Sequence, residues 1–128
     1  MNRIVVDSYA WMEYFKSSDK GLKAKEKIDD ISNEIFIPQI VISEVVSSIK
    51  RQGLDPQEAV NIISGISNVM ELTRDDCVQV GMLHAEMRKT IKDFGLGDSF
   101  VLFSARKLNA KILTGDPHFK NIKEAILI

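Results

Sequence analysis

Cysteine is almost absent from this sequence, which has one such residue, Cys77, among 128. A single thiol cannot form a disulfide within the chain, so no covalent cross-link is available to hold the fold together. This is usual for proteins of a reducing compartment. Cys77 lies in a segment with apolar periodicity, and we expect its thiol to be buried and inert rather than nucleophilic.

The sequence also lacks a long apolar run and an excess of charge of one sign. No segment has the roughly 20 consecutive apolar residues that a membrane-spanning helix needs, and the opening "NRIVVD" does not have the layout of a signal peptide. We therefore expect a cytoplasmic protein without a membrane partner. The 17 basic and 18 acidic side chains give a net charge of -1. Such a chain can bind nucleic acid only through a local basic patch or bound metal ions.

Proline and glycine are scarce, with three and seven residues, which leaves no room for a long flexible linker. Residues 1–128 are predicted to form a single domain, and a hydrophobic content of 45% is enough for a normal core. Short apolar runs alternate with longer helical patterns, which predicts an α/β fold with a parallel sheet. The predicted strands cover 3–6, 34–38, 69–73, 111–114 and 124–128.

Six helices are predicted between these strands. We expect Ser8 to cap the first helix, and Thr73 to cap a long helix that runs to about Phe94 and is closed by Gly95. The predicted helices cover 9–15, 20–32, 40–51, 55–67, 73–94 and 97–109.

An acidic residue follows two of the predicted strands, Asp7 after the first and Asp116 after the fourth. Each could simply cap a turn. In open parallel sheets, however, functional sites form outside the carboxyl ends of the strands, at the point where strand order reverses. If these two strands are neighbours, both acids point into one crevice.

Two further acids are candidates for the same crevice. Glu44 borders the apolar face of its helix and could simply reach water, and Asp98 opens a strongly apolar helix, where it could simply be a cap. Four carboxylates in one crevice repel one another and need a countercharge. A set of oxygen ligands suits Mg²⁺ or Mn²⁺, which can support hydrolysis of a phosphodiester.

Three stretches of the sequence carry a family resemblance: "VVDSYAWMEYF" at 5–15, "ISEV" around Glu44, and "GDSFVLFSARKLNAKILTGD" at 97–116 with the following "PHF". Together they resemble the PIN-domain ribonucleases, and most of all the VapC toxins of prokaryotic toxin–antitoxin modules. The resemblance implies a three-layer α/β/α fold with a five-stranded parallel sheet. It also implies Mg²⁺- or Mn²⁺-dependent cleavage of RNA, commonly by a homodimer, and neutralisation by an antitoxin that covers the active crevice.

The resemblance also assigns roles to individual residues. Asp7, Glu44 and Asp98 match the acidic metal ligands of the family. Asp116 matches its fourth acid, which often binds metal through water. The hydroxyl residues that match supporting positions, expected to hydrogen-bond the acids, are Ser8 and Thr114.

Other polar residues are assigned more ordinary roles. Segment 16–27 contains five lysines, which could contact RNA, but a solvated helix face is the favoured interpretation. For His118 we expect a turn or surface role rather than a metal or acid–base role, because the other candidate ligands are all oxygen. For His84 we expect a structural role or a place at a partner surface.

Two alternative functions remain to be tested. One is a non-catalytic PIN-like scaffold, against which the intact set of acids argues. The other is phosphoryl transfer to Asp7, as in haloacid-dehalogenase-like phosphatases or receiver domains. Tyr9 stands where such a phosphatase needs a second acid, and "NRIVV" lacks the paired acids of a receiver.

Overall fold

A five-stranded sheet lies at the centre of the protein, and all neighbouring strands in it are parallel. The computed structural model describes residues 2–128. Its strands are β1 Asn2–Val6, β2 Asn33–Pro38, β3 Asn68–Met70, β4 Lys111–Thr114 and β5 Ala125–Leu127. They lie in the order β3-β2-β1-β4-β5. The successive residues "IVV" of β1 are all buried, as expected for a parallel strand covered on both faces.

Helices connect the strands and cover the sheet. They are α1 Ser8–Lys16, α2 Asp19–Ile28, α3 Gln39–Arg51, α4 Pro56–Ile66, α5 Arg74–Met87 and α6 Leu96–Leu108. Helices α1 to α4 belong to connections that run from β1 to β2 to β3, whereas α5 and α6 carry the chain back across the sheet to β4. Crossovers between parallel strands are right-handed, so the two groups of helices cover opposite faces. The predicted three-layer α/β/α fold is confirmed.

Strand order reverses between β1 and β4, which are direct neighbours. Val6 of β1 pairs with Leu113 of β4, so the carboxyl ends of both strands reach the same edge of the sheet. Asp7 follows β1 directly, and Asp116 follows β4 by two residues. The topology therefore brings the two strand-end acids to one switch point, as the sequence predicted.

The largest fully buried side chains anchor the segments around this switch point. Trp11 of α1 stacks on Phe15, with ring centroids 6.0 Å apart. Phe94 and Phe119 are completely buried and their ring centroids lie 5.6 Å apart. Burial of such a ring stabilises the fold by about 2 to 3 kcal/mol. Because Phe94 precedes α6 and Phe119 follows Asp116, the core holds both acid-bearing segments in place.

The long fifth helix ends earlier than the sequence predicted. Helix α5 stops at Met87 rather than near Phe94, and Gly95 is the N-cap that precedes α6 instead of the residue that closes α5. The chain leaves the helical path through Asp93, whose φ of 68° is left-handed. The ring of Phe94 then enters the core, because burial of an aromatic side chain outweighs the extra turns of exposed helix.

Three smaller predictions were also wrong. Helix α1 is capped by Asp7 rather than Ser8, since the Asp7 side chain accepts from the amide of Ala10. Helix α2 ends at Ile28, before the turn in which Asp30 accepts a hydrogen bond from the amide of Ser32. Cys77 is exposed rather than buried.

Within residues 2–128, no helix is long and apolar enough to cross a bilayer.

Candidate active site

Asp7 is the most deeply buried acid of the switch point, with 5% of its surface exposed. Its Oδ1 accepts a hydrogen bond from the Ala10 amide at 2.9 Å, and its Oδ2 accepts one from the Thr114 hydroxyl. Burial raises the pKa of Asp7 to about 7. The two hydrogen bonds oppose this rise, and the nearby charges of Asp116 and Asp98 add to it.

Thr114 links the two strand-end acids. Its hydroxyl donates to Asp7 and accepts from the backbone amide of Asp116 at 3.0 Å. Thr114 thus hydrogen-bonds an acid, and the supporting role that the resemblance implies for it stays a prediction. Asp116 in turn caps the short 3₁₀ turn Pro117–Phe119, and its Oδ1 accepts from the amide of His118 at 2.9 Å.

The residue between these two, Gly115, has a steric role. A Cβ atom added at Gly115 would lie 2.2 Å from Cε1 of Tyr9. Only a residue without a side chain allows β4 to end this close to α1. This packing of the Tyr9 ring on the backbone of Gly115 holds the segment that carries Asp116 against the first turn of α1.

Asp98 comes from the opposite face of the sheet. It is the third residue of α6, and its Oδ2 accepts from the amide of Gly95 at 2.8 Å. Burial is the main cause that raises the pKa of Asp98, and the charge of Asp116 adds to the rise. The amide of Gly95 and the side chain of His118 act in the opposite direction.

Glu44 of α3 reaches the same crevice next to the first turn of α6. A Cβ atom added at Gly97 would lie only 2.9 Å from Oε2 of Glu44, so the carboxylate rests against the first turn of α6. Burial and the charge of Asp98 raise the pKa of Glu44, and a hydrogen bond with Ser8 lowers it. Ser8 lines the same groove as Glu44 but does not cap α1, and its supporting role stays a prediction.

His118 is the residue that the sequence interpretation missed. Its Nδ1 lies 3.2 Å from Oδ2 of Asp98 and 3.4 Å from Oδ1 of Asp116. The predicted turn or surface role is therefore incomplete, because the ring turns back onto the acids. The sequence contained one indication of this contact, because His118 follows Asp116 by two residues. The short turn that Asp116 caps brings the His118 ring close to the Asp116 side chain.

The arrangement suits a divalent cation. Asp98, Asp116 and His118 each offer one ligand atom, and these atoms lie within 4.8 Å of one another. Two carboxylate oxygens and one imidazole nitrogen are ordinary ligands of Mn²⁺, while Mg²⁺ prefers oxygen alone. Among residues 2–128, no ion pair joins Asp7 or Glu44 to a lysine or arginine. The countercharge that these acids require is therefore not supplied by a basic side chain.

A groove between α1 and α3 leads to the acids. Its volume is ≈ 650 Å³, and Glu44 and Asp116 lie in its wall. Lys16 and Arg51 also line it, from the last turns of α1 and α3. These two basic side chains share the groove wall with the acids Glu13, Glu44 and Asp116.

The fold and this site together define a class: a three-layer α/β/α protein whose switch-point crevice is lined by carboxylates from four separate segments. The family model of the PIN domain matches residues 4–125. The chain belongs to the PIN domain family.

Solved structures with the same fold cover almost the whole chain. VapC20 from Mycobacterium tuberculosis, described as a toxin that cleaves the sarcin–ricin loop, has a TM-score of 0.77 at 18% identity, covering 94% of this chain and 95% of that one. VapBC-1 from nontypeable Haemophilus influenzae has a TM-score of 0.73 at 16% identity, with 98% and 96% covered.

VapBC2 from Rickettsia felis, bound to a promoter DNA fragment, has a TM-score of 0.72 at 19% identity, with 98% and 97% covered. At these identities the likeness establishes the fold. No curated protein matches the chain in sequence.

Proposed function

We propose that this single PIN domain is a metal-dependent endoribonuclease that hydrolyses RNA phosphodiester bonds and acts as the toxin of a toxin–antitoxin pair. One observation carries the proposal. Asp7, Glu44, Asp98 and Asp116 converge on one crevice, and no lysine or arginine within residues 2–128 forms an ion pair with any of them. Such a cluster is costly to fold unless a ligand offsets its charge.

The residues present fit a divalent cation. Asp98, Asp116 and His118 would hold it. Asp7 and Glu44, whose pKa values are raised by burial and by the charges of these acids, would lie beside them as further oxygen ligands. When bound, Mg²⁺ or Mn²⁺ supplies a polarised water and positive charge next to the phosphate. Membership in a family of nucleases supports this assignment.

The chain's own groups orient the site rather than attack the substrate. The Thr114 hydroxyl donates to Asp7 and accepts from the amide of Asp116, so it is occupied by the acids. Ser8 lines the same groove as Glu44. With the Thr114 hydroxyl committed to the acids, the arrangement favours attack by water over attack by Thr114.

RNA is the substrate class that the groove favours. A single strand can lie between α1 and α3, with its phosphates near Lys16 and Arg51 and its scissile bond at the acids. The ring of Tyr9 lines the same groove and can stack on a base. The description of VapC20 as a toxin that cleaves the sarcin–ricin loop supports this choice.

We further propose two protein partners in the cytoplasm: a second copy of this chain and an antitoxin. The similar solved structures include several toxin–antitoxin complexes, which supports the antitoxin. The second copy is supported by an exposed apolar face on α5, where Val78 and Met82 are 57% and 66% exposed.

The proposal is tested by cleavage of a labelled RNA with and without metal. We expect cleavage in Mg²⁺ or Mn²⁺, none in EDTA, and none by Asp7→Asn, which keeps a helix-capping side chain. Asp75→Asn, in the exposed first turn of α5, is the control and should cleave normally.

The outcomes separate the alternatives. Undiminished cleavage by Asp7→Asn or in EDTA contradicts the proposal. No cleavage, together with no metal binding in calorimetry, supports the scaffold. A phosphoryl group trapped on Asp7 supports phosphotransfer.

A further inference from the structure

His84 makes a contact that regular helix geometry would not allow. Its Nε2 lies 3.0 Å from the backbone carbonyl oxygen of Phe94, ten residues later. In a continuous helix, ten residues span about 15 Å. The contact exists because α5 ends at Met87 and the chain folds back, through the left-handed Asp93, to the side of α5 on which His84 lies.

The carbonyl that His84 contacts belongs to the same peptide group as a hydrogen-bond donor of the site. The carbonyl of Phe94 and the N–H of Gly95 lie in one planar unit. The N–H of Gly95 donates to Oδ2 of Asp98 at 2.8 Å. A hydrogen bond at the carbonyl end orients this plane and polarises the N–H at its other end.

The side chain of Phe94 extends the link to a second residue of the site. Its ring centroid lies 6.3 Å from that of His118, and the ring is completely buried. One residue thus supports Asp98 through its backbone and His118 through its side chain. His84 contacts the carbonyl of this residue, while the Phe94 amide donates to the carbonyl of Ile91 at 3.2 Å.

We propose that His84 is a positioning residue for the acidic site. Its Nε2–H donates to the Phe94 carbonyl, and the peptide plane so fixed holds the Asp98 carboxylate towards Asp116 and His118. A carbonyl oxygen only accepts hydrogen bonds, so Nε2 carries the proton. This inference deepens the proposed function and rests on it, since it concerns how Asp98 is oriented to hold a cation.

Three substitutions of His84 test the role of the Nε2 donor. The side-chain nitrogen of Gln can occupy the place of Nε2, so His84→Gln should keep the contact. His84→Asn carries the same amide but is too short to reach, and His84→Leu keeps apolar volume without a donor. Glu86→Gln, an exposed neighbour on α5, is the control.

The measurements are Mn²⁺ affinity by calorimetry, kcat and KM for an RNA oligonucleotide, and melting temperature. We expect His84→Leu and His84→Asn to lose about 10-fold in Mn²⁺ affinity and in kcat, as for residues that orient metal ligands from the second layer. KM for RNA should stay unchanged. His84→Gln should recover most of both losses, and the control should match the wild type.

Each outcome decides between separate claims. Equal Mn²⁺ affinity and kcat in the wild type, His84→Asn and His84→Leu overturn this inference, and a lower melting temperature alone would then mark a purely structural tie. A failure of His84→Gln to recover what His84→Asn loses overturns it too. If His84→Leu does not fold, the comparison of Mn²⁺ affinity and kcat between His84→Gln and His84→Asn tests the inference. If the wild type binds no Mn²⁺, the proposed function itself fails.

Discussion

Asp76 and Asp98 occupy the same position in two consecutive helices and have opposite surroundings. Each is the third residue of its helix, α5 or α6, and accepts a hydrogen bond from the backbone amide three residues earlier. The distances are 3.0 Å from Thr73 to Asp76 and 2.8 Å from Gly95 to Asp98. Locally the two acids are equivalent.

Their charge partners differ. Lys107 donates to both carboxylate oxygens of Asp76 at 2.8 Å, and this contact is the main cause that lowers the pKa of Asp76. Asp98 instead lies beside Asp116 and His118, and burial is the main cause that raises its pKa. The comparison teaches that a helix-start acid is a structural cap where a lysine offsets its charge. It is a candidate ligand where, within residues 2–128, no lysine or arginine pairs with it.

The largest expected difference between the two acids is in the rate of RNA cleavage after each is substituted. Asp98→Asn should lower RNA cleavage by about 100-fold or more, because an amide loses the charge that a metal ligand needs. Asp76→Asn should stay within about two-fold of the wild type, since it lies outside the crevice. Initial rates on the same RNA under saturating Mn²⁺ measure both. Equal losses in the two variants would falsify the functional division between them.

The second prediction concerns the stability of the metal-free protein against pH. The pKa of Asp7 is about 7 in the folded protein, against its ordinary value of 3.8. Between these values the folded state holds a proton that the unfolded state has lost, so the free energy of unfolding falls as pH rises. The fall amounts to at most about 4 kcal/mol across the whole window.

Urea unfolding in EDTA at about pH 5 and about pH 8 measures this fall. Asp7→Asn removes the titrating group while keeping a capping side chain, so we expect its stability to change less between the two conditions. The same loss of stability in both proteins would show that Asp7 is not the group responsible.

The smallest expected effect is on the melting temperature without metal. Asp98→Asn should leave it unchanged or raise it, because the substitution removes repulsion from Asp116 and Glu44. Asp76→Asn should lower it, because Lys107 loses its partner. Thermal unfolding in EDTA gives both values. A drop of several degrees in Asp98→Asn would make Asp98 a structural cap like Asp76.

Local pattern was enough to place the strands and the four acids. The apolar run of β1 ends at Asp7, and β4 covers Lys111–Thr114 as predicted. The periodicity of α3 put Glu44 at the border of its buried face, where the carboxylate reaches α6. These features depend on neighbours in sequence, whose spacing alone sets strand faces and helix faces.

Other features depend on residues far apart in the chain. The ring of Phe94 enters the core beside Phe119, and this ends α5 seven residues before the predicted boundary. The helical periodicity could not predict this end of α5, because residues 88–93 would allow the helix to continue. The same burial creates the contact between His84 and Phe94.

By itself, the sequence determined the α/β class, the acids at the strand and helix ends, and the family resemblance that the PIN model confirms. Only the tertiary structure decided which of these acids have their negative charge offset by a lysine or arginine. It gave Asp76 a lysine 31 residues away and gave Asp98 a histidine 20 residues away. The reason is that electrostatic energy depends on distance in space, and the order of the strands sets that distance.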